Sequence, residues 1–202
     1  MKGNSFQQGE ESRYFAAQAI HAVIYKGQSL RQWAEYQKQS NLTTKTEKFI
    51  SSYLLGSLRW FIQNKTILTF LLNSPIREKD KIVEILLCCA IYEITRMRTP
   101  DYAVVASTVE AVKIAKKDHL KALANATLRN FIRSQEEFIT KASHSLEGRY
   151  SFPLWFIEQT KQDYPNNWQA ILDASNQIPQ LWLCINTSKI SLAEYQQKLL
   201  LH

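Results

Sequence analysis

The apolar residues along most of the chain recur at the three- and four-residue spacing of a single helix face. In residues 13–26, for example, Ala16, Ile20 and Val23 share this spacing, and Gly27 follows as a helix stop. Similar patterns predict helices after Ser29, after Thr44, in "TILTFLL", over residues 79–97, after Pro100, and from Asp118 to about Ala142. Residues 79–97 are apolar on most sides, which predicts a central position. We therefore expect an all-α bundle of about seven helices.

Local signals indicate where several helices begin. Thr44 and Glu47 have the spacing of a capping box, in which the two side chains satisfy the first backbone donors of a helix. Pro100 is expected at the first helical position, where its missing donor costs nothing. Asp118 is expected to cap the last helix of the bundle.

The pattern changes after residue 145. Residues 152–176 predict two short helices, "QLWLCIN" (residues 180–186) predicts a strand, and Ser191 with Glu194 predicts a capped final helix. A strand needs partner strands for its backbone groups, so we expect a small α+β segment that is the incomplete start of a further domain. We divide the chain into a helical domain, residues 1–145, and a linker with a truncated subdomain, residues 146–202.

The basic charge of the chain is unevenly placed. The formal net charge is +7, from 25 Lys and Arg against 18 Asp and Glu, while residues 141–202 contain five of each kind. Residues 96–133 alone hold eight basic residues against three acidic ones. Such an excess indicates a polyanion partner, most simply nucleic acid, although a solvated surface without a ligand would have the same composition.

One predicted helix concentrates polar side chains on a single side. Asn125, Arg129 and Arg133 lie at i, i+4 and i+8, opposite the apolar face. Exposed ion pairs contribute only about 0–1 kcal/mol, so stability gives little reason for such a stripe, whereas the planar guanidinium fits phosphate. We predict an RNA-binding flank of Arg129, Arg133, Lys113, Lys116, Lys117, Lys121 and Asn125. The alternative is that Asn125 and Arg129 make contacts within the bundle; Arg13 and Arg59 are interpreted as structural.

Several other kinds of site are not indicated. The three cysteines include an adjacent apolar pair, Cys88 and Cys89, and neither they nor the four histidines have metal-ligand spacing. The polar N-terminus does not have the pattern of a signal peptide, and no apolar run is long enough to span a bilayer. We expect a cytoplasmic monomer without a disulfide framework.

Four stretches together resemble the NusB-like helical domain: "RYFAAQAIHAVIYKGQSL", "YLLGSLRW", "TPDYAVVASTVEAVKIAK" and "LANATLRNFIR". This fold occurs in transcription antitermination factors and at the front of a bacterial RNA methyltransferase. The tail "FPLWFIEQTKQDYPNNWQAILDASNQIPQLWLCIN" resembles the second group only. The chain is therefore similar to the small-subunit (16S) ribosomal RNA cytosine-C5 methyltransferase B (Sun/Fmu) family, from about residue 13 to 190.

The resemblance implies a family enzyme that transfers a methyl group from S-adenosylmethionine to one cytosine of ribosomal RNA. It also implies that the helical domain helps to bind the RNA. The family's glycine-rich cofactor loop and its two catalytic cysteines have no match in this sequence, because the five glycines are isolated and each cysteine follows Leu or Cys. We predict no catalytic, cofactor-binding or metal-binding residue in this chain. Whether it acts as an enzyme stays open, and S-adenosylmethionine is implied only for the full-length family.

The chain also departs from the family pattern. Residues 1–15 lack the basic arm of the antitermination factors, Cys184 stands where the methyltransferases have arginine, and Phe152 replaces a histidine before Pro153. Two alternatives remain: a standalone antitermination factor that binds RNA and a ribosomal protein, and an interaction domain whose basic patch is incidental. The extension past residue 145 disfavours the first alternative.

Overall fold

Helices account for nearly all of the regular structure. The structure, a computed structural model, describes residues 9–39, 43–179 and 182–200. The helices are α1 Gly9–Lys26, α2 Leu30–Gln39, α3 Thr44–Arg59, α4 Phe61–Leu71, α5 Lys81–Arg96, α6 Asp101–Ile114, α7 Lys121–Arg133, α8 Gln135–Ser143, α9 Leu146–Tyr150, α10 Leu154–Asp163, α11 Trp168–Ser175 and α12 Leu192–Leu200. Short 3-10 turns precede α5 (Glu78–Asp80) and α7 (Lys121–Arg133). None of the helices in these ranges is long and apolar enough to cross a membrane.

Helix α5 forms the centre of the bundle. Every residue from Val83 to Glu93 is buried, and α1, α3, α4, α6 and α7 pack around this helix. The central position predicted for residues 79–97 is therefore confirmed. Helix α3 approaches α5 closely at Gly56, where a Cβ atom would overlap the hydroxyl of Tyr92. Only glycine fits between the two helices at this point.

A buried ion pair connects α1 to α5. Arg13 Nε donates to Glu93 Oε2 at 2.8 Å, a second guanidinium nitrogen bonds the other carboxylate oxygen, and Arg13 Nη1 donates to the Gly9 carbonyl at 2.8 Å. The Arg13 guanidinium also lies 5.1 Å from the Phe49 ring centroid. Desolvation opposes the charge, but the hydrogen bond and charge of Glu93 raise the pKa of Arg13 above its usual value. The structural interpretation of Arg13 is confirmed.

Several helix boundaries differ from the predicted ones. The side chain that caps α3 is Thr43, which accepts from the Thr46 N–H, and Pro100 is the cap of α6 and not its first helical residue. The single helix predicted from Asp118 to Ala142 is wrong. Residues 118–120 form a 3-10 turn, and Ser134, with φ −134° and ψ 38°, separates α7 from α8.

Residues after the bundle form a second, smaller core. Tyr150, Ile157 and Leu172 are buried together, with Phe152, Phe156 and Trp168 packed around them. Helices α10 and α11 confirm the two short helices predicted there.

Helix α9 connects this part of the chain to the bundle by packing against α4 and α8, and Gln63 makes two hydrogen bonds across this contact. Gln63 of α4 donates from Nε2 to the Gly148 carbonyl at 2.8 Å, and its backbone N–H donates to Ser151 Oγ at 3.2 Å. Gln63 is buried, so both hydrogen bonds satisfy groups that water does not reach.

The predicted strand is not formed in the described residues 182–186, and Gln180 and Leu181 lie outside the described residues. A strand requires a partner for its ladder of hydrogen bonds, and none of the described residues forms one. The capping box of the final helix is confirmed, because Glu194 accepts from the Ser191 N–H at 3.0 Å and Ser191 Oγ accepts from the Glu194 N–H at 3.3 Å.

Candidate nucleic-acid interface

Helices α6 and α7 form a hairpin with a groove between them. They are joined by a short connection and pack along their lengths, so they run antiparallel. The groove has a volume of about 620 Å³, and apolar side chains of Val105, Val109 and Ile132 line it. Two other grooves, both beside Lys65, contain no residue of the predicted RNA-binding flank.

The α7 wall of the groove carries the polar stripe of the sequence. Arg129 and Arg133 are exposed, Asn125 is half-buried, and all three line the groove. Arg129 Nε donates to Asn125 Oδ1 at 3.1 Å, which fixes the guanidinium one turn from the amide. Neither arginine has a carboxylate partner among the described residues. Their cationic groups therefore face solvent, as a phosphate-binding role requires.

The α6 wall has the opposite character. Asp101 and Glu110 line it, and so does Tyr102, 79% of whose surface is exposed. Lys113 lies one turn beyond, where its Nζ is 3.5 Å from Glu110 Oε2. The groove thus has guanidinium groups on one side, carboxylates on the other and an exposed aromatic ring.

The remaining lysines lie at the α6–α7 turn. Lys116 is exposed and adopts a left-handed backbone conformation with φ 58°. Lys117 is engaged within the protein: its Nζ lies 2.8 Å from Asp80 Oδ1 and donates to the Lys79 carbonyl at 2.8 Å. The hydrogen bond from Lys117 lowers the pKa of Asp80, whose carboxylate is buried.

The predicted flank is therefore divided into two parts. Lys116, Lys117 and Lys121 lie at the turn, whereas Arg133 lies at the other end of α7. Twelve residues separate Lys121 from Arg133, a rise of about 18 Å along the helix axis. Asn125 and Arg129 lie between them, so the structure brings Asn125, Arg129 and Arg133 together in one groove and leaves the turn lysines beyond it.

The sequence reasoning missed the α6 wall. Asp101 and Glu110 counted only as charges that offset the basic excess, and Tyr102 received no role. Their helical spacing could have placed Tyr102 on the same side as Ala106 and Glu110, at i, i+4 and i+8. That this side faces the arginines of α7 depends on how the two helices pack, which periodicity does not determine.

A second group of basic side chains lies elsewhere, at the junction of α3 and α4. The Arg96 guanidinium stacks on the Trp60 ring at 3.5 Å from its centroid, and it donates to Gln63 Oε1 at 2.8 Å. Arg59 is half-buried nearby. Burial raises the pKa of Tyr92, and the charges of Arg96 and Arg59 oppose this shift. Arg96 is fixed by these internal contacts.

The cysteines and glycines do not form a methyl-transfer site in the described residues. Burial raises the pKa of Cys89 to about 12 and that of Cys88 well above its usual value, so both remain thiols at neutral pH. The four described glycines are separate: Gly9 begins α1, Gly27 follows it, Gly56 packs against α5, and Gly148 lies within α9. These residues do not fit an S-adenosylmethionine cradle, which needs consecutive backbone donors from one loop.

Comparison with known proteins covers nearly the whole chain. Residues 10–133 match the NusB family, and residues 152–201 match a domain described as Methyltr_RsmF/B-like, ferredoxin-like. A probable ribosomal RNA small subunit methyltransferase B of Coxiella burnetii is 36% identical over 169 residues, which are 81% of this chain and 39% of that protein.

The ribosomal RNA small subunit methyltransferase B of Yersinia pestis bv. Antiqua is 34% identical over 187 residues, which are 93% of this chain and 43% of that protein. A relative of the same name in Yersinia pseudotuberculosis serotype O:1b is also 34% identical over 187 residues. The chain thus spans about two fifths of the length of these relatives. With a match that covers the helical bundle from α1 to α7, the chain belongs to the NusB family and continues into a region similar to the ferredoxin-like domain of RsmF/B-like methyltransferases.

Proposed function

We propose that this chain is the RNA-binding region of a small-subunit ribosomal RNA (cytosine-C5) methyltransferase that uses S-adenosylmethionine. Its role is to hold ribosomal RNA through the flank formed by Arg129, Arg133, Lys113, Lys116, Lys121 and Asn125. Lys117 contributes less to RNA binding, because its ammonium group is already paired with Asp80.

One observation carries the proposal: Arg129 and Arg133 are exposed on one wall of a groove with no carboxylate partner in the described ranges. Guanidinium groups in this arrangement present paired donors to a phosphate. The names of the methyltransferase relatives support ribosomal RNA as the source of that phosphate. Phosphate contacts supply affinity with little sequence discrimination, so Arg129 and Arg133 do not by themselves select a sequence.

The methyl-transfer step is not assigned to residues of this chain. A thiolate must attack the cytosine ring, and the two buried cysteines are protonated and enclosed by the core. A standalone antitermination factor is the alternative with the same bundle. The match of residues 152–201 to a methyltransferase-associated domain favours the methyltransferase.

Charge reversal at the groove tests the proposal. In the 202-residue chain, Arg129→Glu with Arg133→Glu should weaken binding to a small-subunit ribosomal RNA fragment at least about tenfold, since each charge-assisted contact contributes about 1.5–3 kcal/mol. Filter binding at low salt measures the affinity, and circular dichroism checks that the helices are retained.

The matched control is Lys45→Glu with Lys48→Glu, on the exposed start of α3, which changes the net charge by the same amount. Equal weakening by both pairs would mean that only total charge matters, and no weakening by the arginine pair would overturn the proposal. Replacing both arginines by glutamine should also reduce the slope of log K against log salt by about 1.4–1.8.

A further inference from the structure

The α6–α7 groove has features that phosphate binding alone does not require. Tyr102 is an exposed aromatic ring in the lining of a groove whose other lining residues include Val109 and Ile132. The carboxylates of Asp101 and Glu110 would repel a phosphate on the α6 side. Within the groove, whose lining does not include Lys113, a ligand must therefore place its negative charge against α7.

We infer, on the basis of the proposed function, that this groove binds unpaired nucleotides of RNA, with a base stacked on Tyr102 and the phosphates held by Arg129 and Arg133. Nucleotides have the required asymmetry, since one edge carries the phosphate and the other carries a flat base. A base of a duplex is enclosed by its neighbours and cannot reach the ring, whereas an unpaired base stacks on aromatic side chains.

The charges on the two walls determine the orientation of the nucleotide. The backbone lies along α7, next to the guanidinium groups, and the base edges point to α6. There the carboxylates of Asp101 and Glu110 accept hydrogen bonds from exocyclic amino groups, as carboxylates do from cytosine N4. Uracil offers a carbonyl oxygen at the same position, which a carboxylate repels.

The dimensions agree with a short stretch of single strand. Nine residues separate Asp101 from Glu110, so the α6 wall is about 14 Å long, which is enough for a few nucleotides. The volume of about 620 Å³ lies within the range of sites that enclose small ligands.

The test uses the 202-residue chain and three RNA probes of equal length: oligocytidine, oligouridine and a duplex. Tyr102→Leu removes the ring and keeps an apolar side chain, and Tyr102→Phe keeps the ring as the matched control. Because Tyr102 is 79% exposed, neither substitution disturbs the core. Tyr102→Leu should weaken oligocytidine binding by about fivefold to a hundredfold and leave duplex binding unchanged, while Tyr102→Phe binds like the natural chain.

Base-edge recognition has its own test. The natural chain should prefer oligocytidine to oligouridine, and Asp101→Asn with Glu110→Gln should remove most of that preference. Equal binding of both oligonucleotides by the natural chain would overturn this assignment of the carboxylates.

The two proposals fail differently. If Arg129→Glu with Arg133→Glu weakens every probe but Tyr102→Leu weakens none, the groove does not hold an unpaired base, and only the present inference is overturned. That result is also expected if the groove binds a protein helix. If the arginine variant weakens no probe, the RNA-binding proposal itself is overturned.

Discussion

At the scale of single residues, the same chemical group has opposite uses in different parts of this molecule. Arg13 is enclosed by the bundle with a bidentate carboxylate partner, whereas Arg129 and Arg133 face solvent without one in the described residues. The environment, and not the residue type, separates the structural Arg13 from the two arginines that we propose bind RNA. A buried guanidinium depends on its counter-ion, because no water replaces a lost partner.

Replacing Glu93 by glutamine should therefore destabilise the fold strongly. Arg13 would keep its charge in a site where the Glu93 side chain has 0% exposure, and the expected loss in free energy of unfolding is about 3–5 kcal/mol. Urea denaturation followed by circular dichroism measures it. The double variant Arg13→Met with Glu93→Met should recover much of the loss, and a single variant as stable as the natural chain would contradict the role of the pair.

At the scale of elements, the α6–α7 hairpin is attached to the start of α5 by Asp80. Its buried carboxylate contacts Lys117 Nζ at 2.8 Å and His119 Nε2 at 3.7 Å, both from the turn between the two helices. The pKa of Asp80 is lowered, first by the hydrogen bond from Lys117. The attachment thus fixes the end of the hairpin opposite to Arg133.

This attachment should make stability depend on pH in acid. The pKa of Asp80 is lower in the folded chain than in the unfolded chain, where it is about 3.9. The ionised carboxylate therefore contributes its full stabilisation of the fold above about pH 3.9. That stabilisation is lost as the pH falls through the pKa of Asp80 in the folded chain. Asp80→Asn should lower the urea midpoint at pH 7, and the difference from the natural chain should shrink below about pH 4. A difference that persists unchanged in strong acid would contradict this account.

The elements also show what periodicity can and cannot predict. Eleven consecutive buried residues in α5 follow from an apolar pattern on most sides, and the prediction of a central helix is confirmed. The break at Ser134 left no such signal, because Phe131 and Phe138 maintain the apolar spacing across it. The polar stripe of α7 could also be predicted, because the spacing of residues along a single helix determines which of them share a side. Its facing wall on α6 could not, since that depends on contacts between helices.

At the scale of the whole molecule, the described chain contains two cores of unequal size. The main core unites side chains from α1 to α8, whereas the second rests on Tyr150, Ile157 and Leu172. The small α+β segment predicted for this region lacks its strand in residues 182–186, because a strand cannot be stabilised without a partner. Because only three buried residues form this core, we expect the truncation of any one of them to destabilise it.

Leu172→Ala should therefore loosen the second core without unfolding the bundle. Large-to-small substitutions of buried leucine cost about 2–5 kcal/mol, which is enough to open a core of this size. Hydrogen exchange should show lost protection in α10 and α11 and unchanged protection in α5. Leu86→Ala, in the main core, is the control and should lower protection throughout the bundle; identical exchange patterns for both variants would mean that the two cores unfold as one.

The contacts of Gln63 have a practical consequence for where the chain can be divided. Its side-chain amide donates to Gly148 and its backbone N–H donates to Ser151, and both acceptors lie beyond the division at residue 145 that composition favours. A fragment that stopped at 145 would lose both acceptors and would uncover the part of α4 against which α9 packs. A fragment extended through Ser151 would keep both acceptors, so we expect it to retain the bundle better than a fragment that ends at residue 145.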